Sequence, residues 1–456
     1  MNASVTVVGG GLAGSEAAWQ LARRGVDVEL IEMRPVRTTP AHTTDRLAEL
    51  VCSNSLRGNA PDQAAGLLKE EMRRLGSLIL RVADETRVPA GSALAVDRQL
   101  FAERVTHALG TSAHVRIERR EVARLPETPV AIVATGPLTS PALADEIAAF
   151  LGTEHLHFYD AISPIVEAES IDLARAFRGS RYGKGGADYL NCALTPDEYR
   201  HFFEALVTAE RATPHAFERE TFFEGCLPVE VIAGRGPETL LFGPLKPVGL
   251  VDPRSGQRPF AVVQLRQDNL AASHYSLVGF QTHLKWGEQQ RVFRLIPGLE
   301  QAEFVRFGTI HRNTYINAPT VLEPTFETRR RPGLFFAGQV SGVEGYVESA
   351  ASGLVAGICA AHRALGLARP EFPSESALGS LGRYVARSEA RDYQPTNFAF
   401  GLLPELTPPV RNRLRRRALL TERALESIDR FAGEHSPAED GSVIATQPDL
   451  ATAIPE

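Results

Sequence analysis

Apolar positions cluster in short blocks along this chain, and the spacing within each block changes its meaning. In SVTVVGGGLAGSEAAWQLARRGVDVELIEMR an apolar run at Val5 to Val8 is cut by glycines, and small and apolar residues then recur at helical spacing toward Gly25. A second apolar run closes on Glu32. The pattern predicts a buried strand, a glycine-rich turn, an amphipathic helix ending near Gly25 and a second strand, which together make a mononucleotide-binding βαβ unit.

Two further blocks repeat part of this theme. An apolar strand from Pro129 runs into Ala134 to Gly136, and GLFFAG at Gly333 to Gly338 leads into a glycine-studded helix through Cys359. Between them, residues 158–330 are dense in Gly, Pro and aromatic side chains. Short alternating runs there, such as Ala261 to Leu265, predict a sheet-containing insertion. Ser376 to Phe431 reads as largely helical apart from a loop around Asn397. From Glu434 the chain is acidic and poor in large apolar groups, the composition of a disordered tail. No internal repeat is present.

The expected division is therefore a first cofactor-domain part over 1–157, an insertion over 158–330, a completing part over 331–433 and a tail over 434–456. A chain of 456 residues, 43% hydrophobic, is long enough for two interleaved domains. The net charge of -6 carries no global basic signature, so a nucleic-acid partner requires local patches. A strand follows Met1 without a basic leader, and no apolar run reaches membrane-spanning length, so a cytoplasmic protein without membrane association is expected. Cys52, Cys192, Cys226 and Cys359 form no CxxC pair, which disfavours a metal knuckle or a local dithiol. No metal site is expected.

In GGGLAG the residues Gly9, Gly10, Gly11, Leu12, Ala13 and Gly14 contain GxGxxG. The first glycine of that motif permits the tight turn, the second admits a pyrophosphate to the backbone and the third lets helix pack on strand. Helix amides then face phosphate charge. Glu32 stands where a carboxylate accepts hydrogen bonds from ribose hydroxyls. A methyltransferase using S-adenosylmethionine shares the glycine loop and the acidic strand end. It leaves the Gly136 strand and the distal GLFFAGQVSG unexplained, and FAD accounts for all three segments. No second complete GxGxxG is present, so a dedicated NAD(P)H domain is not evident. The fold class expected is α/β, a Rossmann-like FAD-binding domain of the glutathione-reductase kind with an inserted α+β domain.

Several longer motifs then narrow the reading. They are ELVCSNSLRG from Glu49, FYDAISPIV from Phe158, FEGCLPVEVIAGRG from Phe223, GFQTHLKWGEQQRVFRLIPGLE from Gly279, GTIHRNTYINAP from Gly308, GQVSGVEGYVESAASGL from Gly338 and QPTNFAFGLLP from Gln394. Across nearly the whole chain this resembles the folate- and FAD-dependent tRNA (uracil-5-)-methyltransferases. The larger flavin enzymes that modify the wobble uridine of tRNA share the amino-terminal and GQVSG segments. This chain lacks room for their extended helical carboxy-terminal region.

The resemblance implies conversion of uridine at tRNA position 54, in the T loop, to 5-methyluridine. Carbon comes from 5,10-methylenetetrahydrofolate and hydride from FADH2, with NAD(P)H as reductant. Uracil C5 is a poor nucleophile until a thiolate adds to C6, after which a base must remove the C5 proton. Cys226 matches the family nucleophile and Cys52 the cysteine proposed as that base. His311 matches a histidine that stacks on the folate pterin. Gly136, Gly338 and Gln339 belong to the later contact segments for FAD. Cys192 is open between packing and site support, and Cys359 sits among small helical residues. Arg411, Arg413, Arg415, Arg416 and Arg417 can neutralise RNA phosphates, as can Arg329 to Arg331, and helix-face ion pairs with Glu422 or Glu405 are an equally simple use. Two rival readings, a small-molecule flavin oxidoreductase and a non-catalytic flavin-carrying RNA-binding protein, leave FEGCLPVEV unexplained.

Overall fold

The computed structural model describes residues 3–152, 163–212, 227–308 and 310–437, and the backbone alone of 156–161, 310–314 and 392. A five-stranded parallel sheet runs in the order Leu334–Phe336, Ala131–Val133, Ser4–Val8, Asp27–Glu32 and Val115–Arg119. Helices pack against it, and Val5, Val7 and Leu30 are fully buried. The strand from the carboxy-terminal half pairs beside Ala131–Val133, so both ends of the chain build one cofactor-type sheet.

Helix Leu12–Ala22 departs from the expected amphipathic pattern, for every one of its residues is buried. It packs against both the sheet and the long helix Tyr346–Ala364, and small side chains make the helix approach possible. A Cβ at Gly353 would stand 2.1 Å from the Ala13 carbonyl oxygen, and one at Gly357 would stand 2.8 Å from that of Ala17. The helix stops at Ala22, and Gly25 belongs to the turn beyond it, at φ +70°.

A second core surrounds a six-stranded sheet in the order Ala176–Gly179, Tyr189–Leu194, Ala261–Gln267, His274–Leu277, Ile165–Glu167 and Phe304–Arg306. The alternation seen at Ala261 to Leu265 does not separate core from solvent, since strand Ala261–Gln267 is buried along its whole length. Strand Leu156–Ala161 pairs with Ile310–Tyr315 in a separate ribbon. The carboxy-terminal helices are Ala377–Arg387 and Arg413–His435. The irregular stretch between them is longer than a loop around Asn397, and the last helix continues through Glu434, where a disordered tail was expected to begin. Among the described residues no helix is long and apolar enough to cross a membrane.

Candidate functional site

The glycine turn, both later contact segments and Glu32 converge on one cleft. Gly9, Gly11, Leu12, Ala13, Glu32, Gly136, Gly338 and Gln339 all line it. Gly10 and Gly14 do not, and they support it from behind. A Cβ at Gly14 would lie 1.8 Å from the Gly9 carbonyl oxygen, and one at Gly10 would lie 2.4 Å from the Leu47 side chain. Gly9, at φ +102°, packs its turn against the backbone of Ala134.

Gly11 is different. Its φ is -73°, a value any residue adopts, and a Cβ there would meet no protein atom within 4 Å. Nothing inside the protein requires glycine at this position. A ligand pressed against the backbone at the start of helix Leu12–Ala22 does require it, and the first amides of that helix supply donors and positive potential for a phosphate. Gly136 likewise has open space where a Cβ would stand. The cradle fits a dinucleotide.

Glu32 closes the cleft with a buried carboxylate. Its Oε2 accepts the Gly10 N–H at 2.8 Å, and its Oε1 accepts the Arg34 backbone N–H at 3.0 Å and the guanidinium Nε–H at 2.9 Å. Burial alone would raise its pKa, but the Arg34 hydrogen bonds and charge outweigh it, so the carboxyl sits below the ordinary carboxylate value. Arg34 also reaches Glu49 Oε2 at 3.2 Å, and Glu49 in turn accepts from both Thr43 and Thr44. Sequence reasoning missed this Glu32–Arg34–Glu49 chain. Its one signal was an arginine two places after the acidic strand end.

Cys52 sits at the edge of the same cleft, flanked by lining residues Val51 and Tyr346. Its turn is clamped on three sides. The Tyr346 phenol oxygen accepts the N–H of Cys52 at 2.7 Å and of Ser53 at 3.3 Å. Arg98 donates to the Leu50 carbonyl at 2.7 Å and forks onto Asp268. Buried Arg266 donates to Ser53 Oγ at 2.7 Å and Asn54 Oδ1 at 2.8 Å, while Asn54 Nδ2 donates to the Gln267 carbonyl at 2.9 Å. Two helices and a strand of the six-stranded sheet thus meet at this turn. The guanidinium charges of Arg98, Arg266 and Arg306 all lie within Coulombic reach of Cys52.

Cys226 lies outside the described residues, as does the His311 side chain, whose backbone pairs opposite Asp160. The helix that starts just after Cys226, Val229–Ala233, is held by buried Glu230, which accepts from Thr282 Oγ1 at 2.9 Å and the His283 N–H at 2.8 Å. Burial raises the Glu230 carboxyl and brings the His283 imidazole down to about 4. Cys192 is fully buried in the second core, where burial pushes its thiol to about 12, so it packs as a small apolar side chain. Burial also holds the Cys359 thiol well above the ordinary range. Among the described residues no cluster of His, Cys, Asp and Glu is arranged to hold a metal ion.

A family model described as glucose inhibited division protein A matches residues 4–368. The chain is 62% identical over 429 residues to the methylenetetrahydrofolate--tRNA-(uracil-5-)-methyltransferase TrmFO of Desulforudis audaxviator strain MP104C, a match covering 94% of this chain and 98% of that relative. It is 58% identical over 434 residues to the protein of the same name from Listeria monocytogenes serotype 4b strain F2365, covering 95% of this chain and all of the relative. Among solved structures, Aquifex aeolicus GidA in its form II crystal superposes with a TM-score of 0.65 at 20% identity, over 95% of this chain and 76% of that one. At that identity the likeness shows the fold alone, a Rossmann-like α/β architecture.

Proposed function

The chain belongs to the methylenetetrahydrofolate--tRNA-(uracil-5-)-methyltransferase family, and we propose that it converts uridine 54 in the T loop of tRNA to 5-methyluridine in the cytoplasm. The observation that carries this reading is the backbone of Cys52, whose N–H donates to the phenol of Tyr346, a residue that lines a cleft fit for a dinucleotide. Gly9, Gly11, Leu12, Ala13 and Gly338 would hold the FAD pyrophosphate, Glu32 a ribose, and Gly136 and Gln339 the remaining length of the cofactor. Reduced FAD, when bound, supplies the hydride that completes the methyl group. NAD(P)H is the external reductant, arriving without a dedicated domain of its own.

The protein's own residues have three tasks. The Cys226 thiolate adds to uracil C6, forming a C–S bond and moving the electron pair toward C5, which then bonds to the methylene carbon of 5,10-methylenetetrahydrofolate. Cys52 takes the proton that C5 must lose. Release of the folate carrier and of Cys226, with hydride delivery to the exocyclic carbon, leaves tetrahydrofolate and a methylated base. His311 offers a flat imidazole for the pterin ring. The domain built on the six-stranded sheet presents RNA and folate to the cofactor.

The carbon source tests this assignment. Unmodified tRNA transcript incubated with the purified protein, NADPH and carbon-labelled methylenetetrahydrofolate should acquire label as 5-methyluridine, and labelled S-adenosylmethionine should not replace the folate. Label arriving only from S-adenosylmethionine would overturn the proposal.

A further inference from the structure

Two arginine clusters have the composition to meet RNA phosphates, and the structure separates them. Arg329 donates to Glu323 at 3.0 Å and to the carbonyls of Pro319 and Ala386 at 2.9 and 3.1 Å. Arg330 lies over the Phe150 ring and donates to that residue's carbonyl, and Arg331 holds the carbonyls of Pro126 and Thr128 at 2.6 and 3.0 Å. All three are committed to internal bonds.

The second cluster is not. Residues 411–416 at the start of helix Arg413–His435 are exposed, and among the described residues none of the guanidiniums of Arg411, Arg413, Arg415 and Arg416 has a hydrogen-bond or ion-pair partner. The alternative use, ion pairs with Glu405 or Glu422, is not made, and the Glu405 carbonyl is taken by Arg423 instead. These charges stand at the helix end that the macrodipole already makes positive, and Arg413 lies one turn from both Arg416 and Arg417. They oppose folding and need another reason to be there.

The helix that carries them is packed along its far part. Leu420, Ala424, Ile428 and Phe431 bury the far part of the helix, and Thr421 Oγ1 donates to the Pro61 carbonyl at 3.2 Å. At the basic end Arg417 stacks over Phe400 at 5.6 Å. That loop is tied inward by the Phe398 N–H, which donates to Glu348 Oε1 at 2.9 Å, two residues from Tyr346. A continuous chain of contacts therefore joins the basic end to the turn that carries Cys52.

We infer that Arg411, Arg413, Arg415 and Arg416 form a docking surface for the phosphate backbone of the tRNA substrate, outside the reaction cleft. The inference rests on the RNA-modifying reading proposed above. On a chain of net charge -6, a compact cationic patch attracts a polyanion to the face that carries it. Each phosphate neutralised contributes roughly 0.7 to 0.9 to the slope of log affinity against log salt.

The test measures tRNA affinity across a salt series for the full-length flavin-loaded protein, its R411Q/R413Q/R415Q/R416Q variant and the matching fourfold lysine variant. The glutamine variant should keep its FAD but bind about tenfold or more weakly at low salt, with a slope smaller by about 2 to 4, and the lysine variant should retain most of the affinity. Wild-type affinity and slope in the glutamine variant would overturn the docking surface and leave the methyltransferase reading intact. Absence of any salt-dependent tRNA affinity in the wild type would overturn both.

Discussion

The phenol oxygen of Tyr346 accepts the backbone N–H of Cys52 at 2.7 Å, joining two positions 294 residues apart. One bond thus fixes the turn of a proposed catalytic cysteine to the helix that follows the last cofactor segment. Tyr346→Phe keeps the ring and removes the acceptor. A lost hydrogen bond of this kind is worth about 1 kcal/mol, so methyl transfer should fall about five- to tenfold with FAD content unchanged. Flavin absorbance alongside tRNA methylation rate checks this, and an unchanged rate would separate the Tyr346 bond from catalysis.

Gly11 and Gly353 should respond in opposite ways to the same added methyl group. At Gly11 the Cβ meets no protein atom, so Gly11→Ala should fold with near wild-type apoprotein stability and fail to retain FAD. At Gly353 it would meet the Ala13 backbone 2.1 Å away, so Gly353→Ala should push two buried helices apart and lose about 1–3 kcal/mol of stability. Apoprotein melting and flavin titration distinguish them. A flavin-replete Gly11→Ala protein would contradict the cradle.

Glu32 holds a buried guanidinium as well as facing the cleft. Glu32→Ala strands Arg34, 2% exposed, beside the remaining Glu49 alone and leaves the Gly10 N–H without its acceptor. Breaking a buried pair from one side costs about 3–5 kcal/mol, so denaturant melts should show a loss of that order together with loss of FAD. The double variant Glu32→Ala with Arg34→Met should recover part of the stability but none of the flavin.

Acid should loosen the second core through His283. Burial lowers its imidazole from 6.5 to about 4, so between those values the unfolded chain binds a proton that the folded protein does not. Its contribution to stability is therefore complete above about pH 6.5 and is lost as pH falls toward 4. The His283 ring lies 3.4 Å from the Glu230 carboxylate, so the difference between the two proteins reports the pair. His283→Gln should melt with a shallower pH dependence over this window, and identical slopes would refute the assignment.

Much of the cofactor cradle was legible in the sequence because glycine spacing and an acidic strand end are local signals. Gly9 and Gly14 are glycines for backbone reasons, Gly11 lines the cleft with open space where a Cβ would stand, and all three follow from one motif. The clamp on Cys52 was not legible. Arg98, Arg266 and Asn54 are ordinary polar residues until the fold brings them together, and no periodicity announces a contact between Asn54 and Gln267. The burial of helix Leu12–Ala22 on every side was hidden for a similar reason. Its covering helix is supplied from more than three hundred residues away, by small residues at Gly353 and Gly357. The two arginine clusters look alike as strings, and only tertiary partners tell Arg329–Arg331 from the exposed end of the last helix.

The central claim is that this chain joins a folate-derived carbon to C5 of a tRNA uridine using two cysteines beside a flavin. The most direct test incubates unmodified tRNA transcript with labelled methylenetetrahydrofolate, NADPH and wild-type, Cys226→Ala or Cys52→Ala protein, each carrying FAD. Labelled 5-methyluridine at position 54 from the wild type, absent from both variants, is the predicted result. Undiminished product from Cys226→Ala, or none from a wild-type protein that binds tRNA with its flavin fully reduced, would contradict the account.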